Sequence, residues 1–280
     1  MSKPIQHTIS ATSASHFEDW INAVDPTALT DPIFLAEGDS WFNKFYPSRD
    51  NLLEQLDLNK RCRILDHSWS GDKADDMFSP TRIAAIAQYL DLAQYKAILL
   101  SAGGNDIIGN VGELLNGTGN TATLSHTKVE EAFDNVESLL RNFCAARATS
   151  SRNRNTRIFI HAYDFVTPRN APVNGNIAGP WVYPRLLAKS VTDPNAQLAI
   201  VTELLARWLA RLIVLADAAS PRHIAGFHVF LTQGILTPAA TGDTGRSGDW
   251  EDEIHPTKAG YRKFAAKLWN PTLNGILNGA

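Results

Sequence analysis

Cysteine is almost missing from this sequence, with only Cys62 and Cys144 in 280 residues. One falls in an apolar strand-like run and the other in a helix-like run. They read as two buried free thiols rather than a disulfide, and neither has metal-ligand spacing to a second cysteine or histidine. Long apolar runs are missing as well, so no segment is expected to span a membrane. Met1 to Ser15 lacks the roughly 7–15-residue apolar stretch of a secretory signal, and the expected location is cytoplasmic, with signal-independent export left open. No charge of one sign dominates. The formal net charge is −3, which carries no electrostatic footprint for nucleic acid. The densest basic stretch, Arg152 to Arg157, reads as a solvated loop. No G-x-G-x-x-G follows the first predicted strand, and Gly117-Thr118-Gly119 resembles a phosphate loop only superficially, so a dinucleotide fingerprint is absent. There is neither an internal repeat nor a low-complexity linker.

What is present is ordinary in bulk: 44% apolar and 20% charged residues, the balance of a globular protein. The length suits one large α/β domain with insertions or two small domains, and is enough to bury a sizeable core. Apolar runs predict strands near 32–37, 61–67, 95–100, 157–163 and 227–231. Helical spacing predicts a short N-terminal helix behind the capping box Ser15-His16-Phe17-Glu18, with Phe17, Trp20, Ile21 and Val24 on its apolar face. Further helices are predicted around 50–57, after Ser79-Pro80, from near Ser125, from Asp193-Pro194 and after Pro256. Strands alternating with helices predict a parallel sheet covered on both faces. Residues 1–30 read as an N-terminal extension and 31–280 as a single domain. Three long irregular stretches, near 106–125, 164–193 and 233–251, follow the carboxyl ends of predicted strands. That is the edge where open α/β sheets bind ligands.

Gly38-Asp39-Ser40 directly follows the first strand, so Ser40 is held at the rim of the sheet, where a serine can act as a nucleophile. Gly71 follows the second strand and Asn105 the third, within Gly103-Gly104-Asn105-Asp106. Asp252 and His255 lie between the fifth strand and the last helix, in Asp252-Glu253-Ile254-His255-Pro256. Acyl transfer needs this set. A serine hydroxyl needs an adjacent base, His255 can take its proton and return it to the leaving group, and Asp252 can fix the imidazole tautomer. The Ser40 N–H, the Gly71 N–H and the Asn105 amide can supply donors to the developing oxyanion. Asp39 and Asp106 read as structural, bonded to nearby backbone N–H groups. Asp249 and Glu251 flank Asp252 without its spacing to the histidine. His67 and His161 fall at strand ends, and each is expected to be a satisfied structural histidine. Trp41, Phe42, Phe45 and Tyr46 form an aromatic cluster next to Ser40, at least half of it core and the rest available to line an acyl or aglycone pocket. The stretch 164–193 carries Phe165, Trp181 and Tyr183. It is either a partial lid whose aromatics contact substrate or a surface loop anchored by them.

Taken in order, Gly38-Asp39-Ser40, Gly71, Gly103-Gly104-Asn105-Asp106 and Asp252-x-x-His255-Pro256 resemble the SGNH hydrolases, also called GDSL esterases and lipases, over roughly residues 33–265. Trp41 stands where the family name has leucine, and Ser68-Trp69-Ser70-Gly71 carries one glycine where relatives often have more. The resemblance implies a flavodoxin-like three-layer fold around a five-stranded parallel sheet in the order 2-1-3-4-5. It implies Ser40 as nucleophile, His255 as base, Asp252 as its partner, and Ser40, Gly71 and Asn105 as the oxyanion hole, with no metal or organic cofactor. The expected function is a serine esterase acting on carboxylic esters of small molecules, lipids or acylated sugars. An acyltransferase using the same triad and an inactive binding protein on the same fold are the alternatives.

Overall fold

The computed structural model of the chain describes residues 6–10, 31–44, 50–173 and 177–279. Six parallel strands make the central sheet: β1 (Gln6–Ser10), β2 (Ile33–Gly38), β3 (Cys62–Asp66), β4 (Tyr95–Ser101), β7 (Ile158–His161) and β8 (Phe227–Phe230), in the order β1-β3-β2-β4-β7-β8. Two short strands, β5 (Leu115–Asn116) and β6 (Thr123–Leu124), pair separately and antiparallel. Every residue of β2, β3 and β7 is buried, which is why these strands read as nearly continuous apolar runs.

From β3 to β8 the order is the expected 2-1-3-4-5, the flavodoxin-like arrangement. The expected count of five is corrected to six, because β1 adds itself alongside β3, from Gln6 opposite Cys62 to Ser10 opposite Asp66. Gln-His-Thr-Ile-Ser has no two-residue apolar alternation to mark it as a strand. Its place comes from backbone pairing at an open edge. The predicted helix over Phe17–Val24 lies outside the described residues, as do Phe45 and Tyr46.

Eight helices are described: α1 (Ala74–Met77), α2 (Pro80–Leu92), α3 (Gly104–Ile108), α4 (His126–Thr149), α5 (Tyr183–Ala188), α6 (Pro194–Ala216), α7 (Lys258–Phe264) and α8 (Asn270–Leu277). Their starts follow side-chain chemistry. Ser79 Oγ accepts from the Arg82 N–H, Asp193 Oδ1 from Asn195 and Thr257 Oγ1 from Gly260; Pro80 and Pro194 occupy first-turn positions. Helices α2, α4 and α6 are the crossovers into β4, β7 and β8, and right-handed connection places them on one face of the sheet. The carboxyl-terminal helices lie on the other, where α7 meets the turn after β2. The helix predicted around 50–57 is corrected to a single 3₁₀ turn, Leu53–Gln55. Leu52, Leu53, Leu56 and Leu58 are all buried, and one tight turn inters them more completely than a one-sided helix.

The rim is also more ordered than expected. The stretch 106–125 holds the end of α3 and the β5–β6 pair, and 164–193 contains α5, while 233–251 remains irregular. Cys62 and Cys144 are buried and unpaired. Burial pushes their thiols up to about 11 and about 12 respectively, leaving both chemically inert at neutral pH. Among the described residues no helix is long and apolar enough to cross a membrane.

Candidate active site at the carboxyl edge of the sheet

Ser40 sits one turn beyond β2. The Asp39 N–H donates to the Ser101 carbonyl of β4 (3.0 Å), and the Asp39 carbonyl accepts from the N–H groups of Phe42 and Asn43. Its carboxylate takes the Trp41 N–H (3.0 Å), the Ser101 hydroxyl (2.7 Å) and the Tyr163 hydroxyl (2.5 Å). Burial raises the Asp39 carboxyl above the usual range, against the pull of those donors. Its role is therefore structural, as expected: it knots the ends of β2 and β4 and the residues after β7 beneath Ser40.

Ser40 Oγ lies 2.8 Å from His255 Nε2. On the far side of the ring, His255 Nδ1 lies 2.9 Å from Asp252 Oδ1 and 3.0 Å from Oδ2. With Nδ1 against a carboxylate, the neutral ring carries its proton there and leaves Nε2 to accept from the serine. Asp252 is itself held, since Oδ1 also accepts the N–H groups of Ile254 (3.0 Å) and His255 (2.9 Å). Burial pushes this carboxyl up. The charge and hydrogen bond of His255 and the charge of Lys44 outweigh burial, and the group ends at about 2. Asp252 is thus ionised throughout the neutral range.

Asn105 opens α3 and donates from Nδ2 to the Asp72 carbonyl (2.9 Å). The Trp69 N–H donates to the Gly38 carbonyl (2.8 Å). These two anchors tie the turn after β3 to the edge that carries Ser40, with Gly71 between them at φ 90°. Among the described residues the Ser40 and Gly71 N–H groups have no hydrogen-bond partner. Asn105 keeps its second Nδ2 hydrogen after serving Asp72. Gly104 is needed for close approach: a methyl group there would meet the Tyr163 ring at 2.6–2.9 Å. Gly104→Ala should cost about 1–3 kcal/mol through overpacking, read as a lowered Tm.

Three partners of the site carry no sequence signature. Lys44 Nζ is buried 3.7 Å from Asp252 Oδ2. The fully buried Glu253 carboxylate accepts the N–H groups of Arg169, Trp181, Val182 and Tyr183. Buried Arg169 donates to the carbonyls of Asp243, Gly245 and Asp252. Together Glu253 and Arg169 strap two rim loops to the segment carrying Asp252 and His255. Glu253 stands beside Asp252 in the sequence, but only its tertiary partners reveal this work.

The aromatic residues divide. Trp41 is buried in the core, 3% exposed, stacked on His161 and packed edge-on against Tyr163, Trp250 and Tyr261, and it also lines a small crevice beside Ser40. The turn after Asp39 carries its indole inward. Phe42 is likewise core. Phe165 is partly buried against the core, and Tyr183 starts α5 with its N–H on Glu253. Of the three rim aromatics, Trp181 packs on His255, its ring perpendicular to that of His255 at 5.2 Å between centroids. His161 is fully buried, with Nε2 2.9 Å from Ser101 Oγ, and burial holds it down to about 3. His67 pairs with buried Glu37 at 2.6 Å. Asp249 is taken by Lys263 and the Thr237 N–H, Glu251 by Arg246, and Asp106 by the Ala74 N–H. Among the described residues no group of three or more His, Cys, Asp and Glu side chains is arranged to hold a metal ion.

No protein-family model matches the sequence, and no curated protein matches it. Solved structures do resemble the fold. An inhibitor-bound aryl esterase of M. smegmatis is 13% identical, with 88% of this chain and 99% of that one covered, at a TM-score of 0.46. An extracellular lipase of Streptomyces rimosus is 15% identical over 89% and 99%, at 0.42. The carbohydrate acetylesterase Est24 of Sinorhizobium meliloti is 10% identical over 87% and 99%, at 0.43.

Proposed function

We propose that this chain is a serine-dependent carboxylic ester hydrolase working through an acyl-enzyme. The observation that carries the reading is the continuous line from Ser40 Oγ through His255 to Asp252, with contacts of 2.8 and 2.9 Å. Ser40 Oγ attacks the ester carbonyl carbon as His255 Nε2 takes its proton. Asp252, ionised and already fixed by two backbone N–H groups, stabilises the resulting imidazolium. The carbonyl oxygen becomes an oxyanion facing the Ser40 N–H, the Gly71 N–H and the free Nδ2 hydrogen of Asn105. Collapse breaks the bond to the alcohol, which leaves with the proton from His255. Water then attacks the acyl-enzyme by the same steps in reverse roles, releasing the acid and restoring Ser40.

An activated ester should give a burst of alcohol stoichiometric with enzyme, followed by slower turnover. A linear trace without covalent acyl-protein in the mass spectrum points away from this route. Asn105→Ala is expected to lower kcat by about 10²–10³-fold with a smaller change in KM. An unchanged kcat, with chemistry rate-limiting, removes the amide from the oxyanion hole.

The Trp181 ring packs perpendicular to that of His255, the group that must protonate the leaving alcohol. Trp181→Ala should therefore change the ranking of alcohols in kcat/KM, by roughly tenfold between a bulky and a small one, with little change in Tm. A uniform loss across alcohols with a lowered Tm marks the ring as a packing anchor.

A further inference from the structure

Beside Ser40 and Asn105 a small crevice opens into the protein, bordered by Trp41 and Tyr163 and closed by the aliphatic side chains of Ile108, Val166, Leu205 and Ile254. Its volume is about 20 Å³, on a scale where one water molecule needs roughly 10–15 Å³. It has room for a group of one to two heavy atoms. Asp164 also borders it, but Asp164 Oδ1 accepts the N–H groups of Phe165 and Gly234 and Oδ2 those of Ile235 and Leu236. Its carboxylate is spent on the protein's own backbone and does not present a charge to a ligand. The crevice is small and apolar.

We infer that this crevice is the acyl pocket of the enzyme and that it admits an acetyl group while excluding longer acyl chains, so that the substrates are acetyl esters. The inference rests on the esterase reading above and adds the substrate class to it. An ester carbon attacked by Ser40 has three directions to distribute. The oxyanion faces the Ser40, Gly71 and Asn105 donors. The leaving oxygen faces His255 Nε2, and Trp181 packs on the His255 ring. The acyl chain takes what remains. Among the described residues the crevice walls include Ser40 and Asn105 but neither His255 nor Trp181, which assigns the crevice to the acyl side.

The walls are poorly placed to give way. Ile108 belongs to α3, Val166 to the segment after β7, Leu205 to α6 and Ile254 to the loop carrying the triad. All four are buried, Leu205 at 1% exposure. A chain longer than acetyl must displace side chains from four separately anchored elements, and close-packed interiors resist that.

The test is hydrolysis of p-nitrophenyl acetate, butyrate and hexanoate by the wild-type protein, with fluorophosphonate labelling of Ser40 run in parallel. The expected result is a drop in kcat/KM of about 10–200-fold from acetate to butyrate, and a further drop to hexanoate. Leu205→Ala should narrow the acetate-to-butyrate ratio to less than about tenfold by opening the wall. If that variant does not fold, Ile108→Ala makes the same comparison from another element. Labelled Ser40 with a flat or rising chain-length profile overturns the acetyl assignment and leaves the esterase reading standing. An unchanged ratio in folded wall variants overturns the role of this crevice. Absence of both labelling and turnover overturns the esterase reading and the inference together.

Discussion

Ser40→Ala is expected to abolish covalent labelling by a fluorophosphonate and to lower kcat for an activated ester by about 10⁶-fold, with an unchanged Tm. The size of the effect follows from the geometry. Among the described residues the hydroxyl is the group placed 2.8 Å from His255 Nε2 to receive activation. Without it, the remaining donors can polarise a bound ester but cannot form the acyl-enzyme. The fold should be indifferent, because Asp39, Ser101 and Tyr163 form the knot beneath the residue, and the Ser40 side chain takes no part in it. Labelling that persists in Ser40→Ala, located elsewhere by peptide mapping, removes Ser40 as the nucleophile.

His255→Ala is the second large effect, again about 10⁶-fold in kcat, and Ser40→Ala/His255→Ala should be no worse than either single substitution. The two residues make one device, so removing either part disables it. An additive double variant, near the product of the single losses, contradicts that coupling. The other histidines provide the contrast. His161 is buried, hydrogen-bonded to Ser101 and held down to about 3. It is neutral across the neutral range and on the proposed route contributes nothing to the pH profile. His161→Gln should leave that profile in place and act on stability. The sign is fixed by its depressed folded value. Between roughly pH 6.5, its unfolded value, and about 3, the unfolded chain binds a proton that the native chain refuses. Stability therefore falls as pH is lowered across that window, and His161→Gln should flatten the fall. A thermal-melt series from pH 7 to pH 4 reads it directly. Asp252, held at about 2, also adds stability above the ordinary aspartate range that is lost as pH falls through about 2.

Much of this protein was legible in its residues because local chemistry specified it. The strands β2, β3 and β7 are buried throughout, β4 largely and β8 in part, and such runs suit a covered parallel sheet. Ser79-Pro80, Asp193-Pro194 and the residues after Pro256 marked helix starts through capping chemistry that acts within three residues. Ser40, Asn105, Asp252 and His255 stood out because each follows a strand end, and a parallel sheet gathers its strand ends at one edge. Asp252 and His255 lie close in sequence, and their contact is a local matter.

The rest depended on contacts between distant segments. The edge strand β1 has no alternation to betray it and owes its place to backbone bonds with β3. Trp41 stands next to Ser40 in sequence, but only the packed fold shows that its indole stacks on buried His161 and also borders the crevice beside Ser40. Lys44, Arg169 and Glu253 are ordinary charged residues until the fold places Lys44 beside Asp252 and puts the other two where backbone donors and acceptors of several loops converge. The size of the crevice beside Ser40 is the sharpest case. Its walls come from α3, α6 and two loops far apart in the chain. A periodicity can say that Leu205 faces inward, but a volume is a property of how separate elements close against one another, and only the packed tertiary structure decides it.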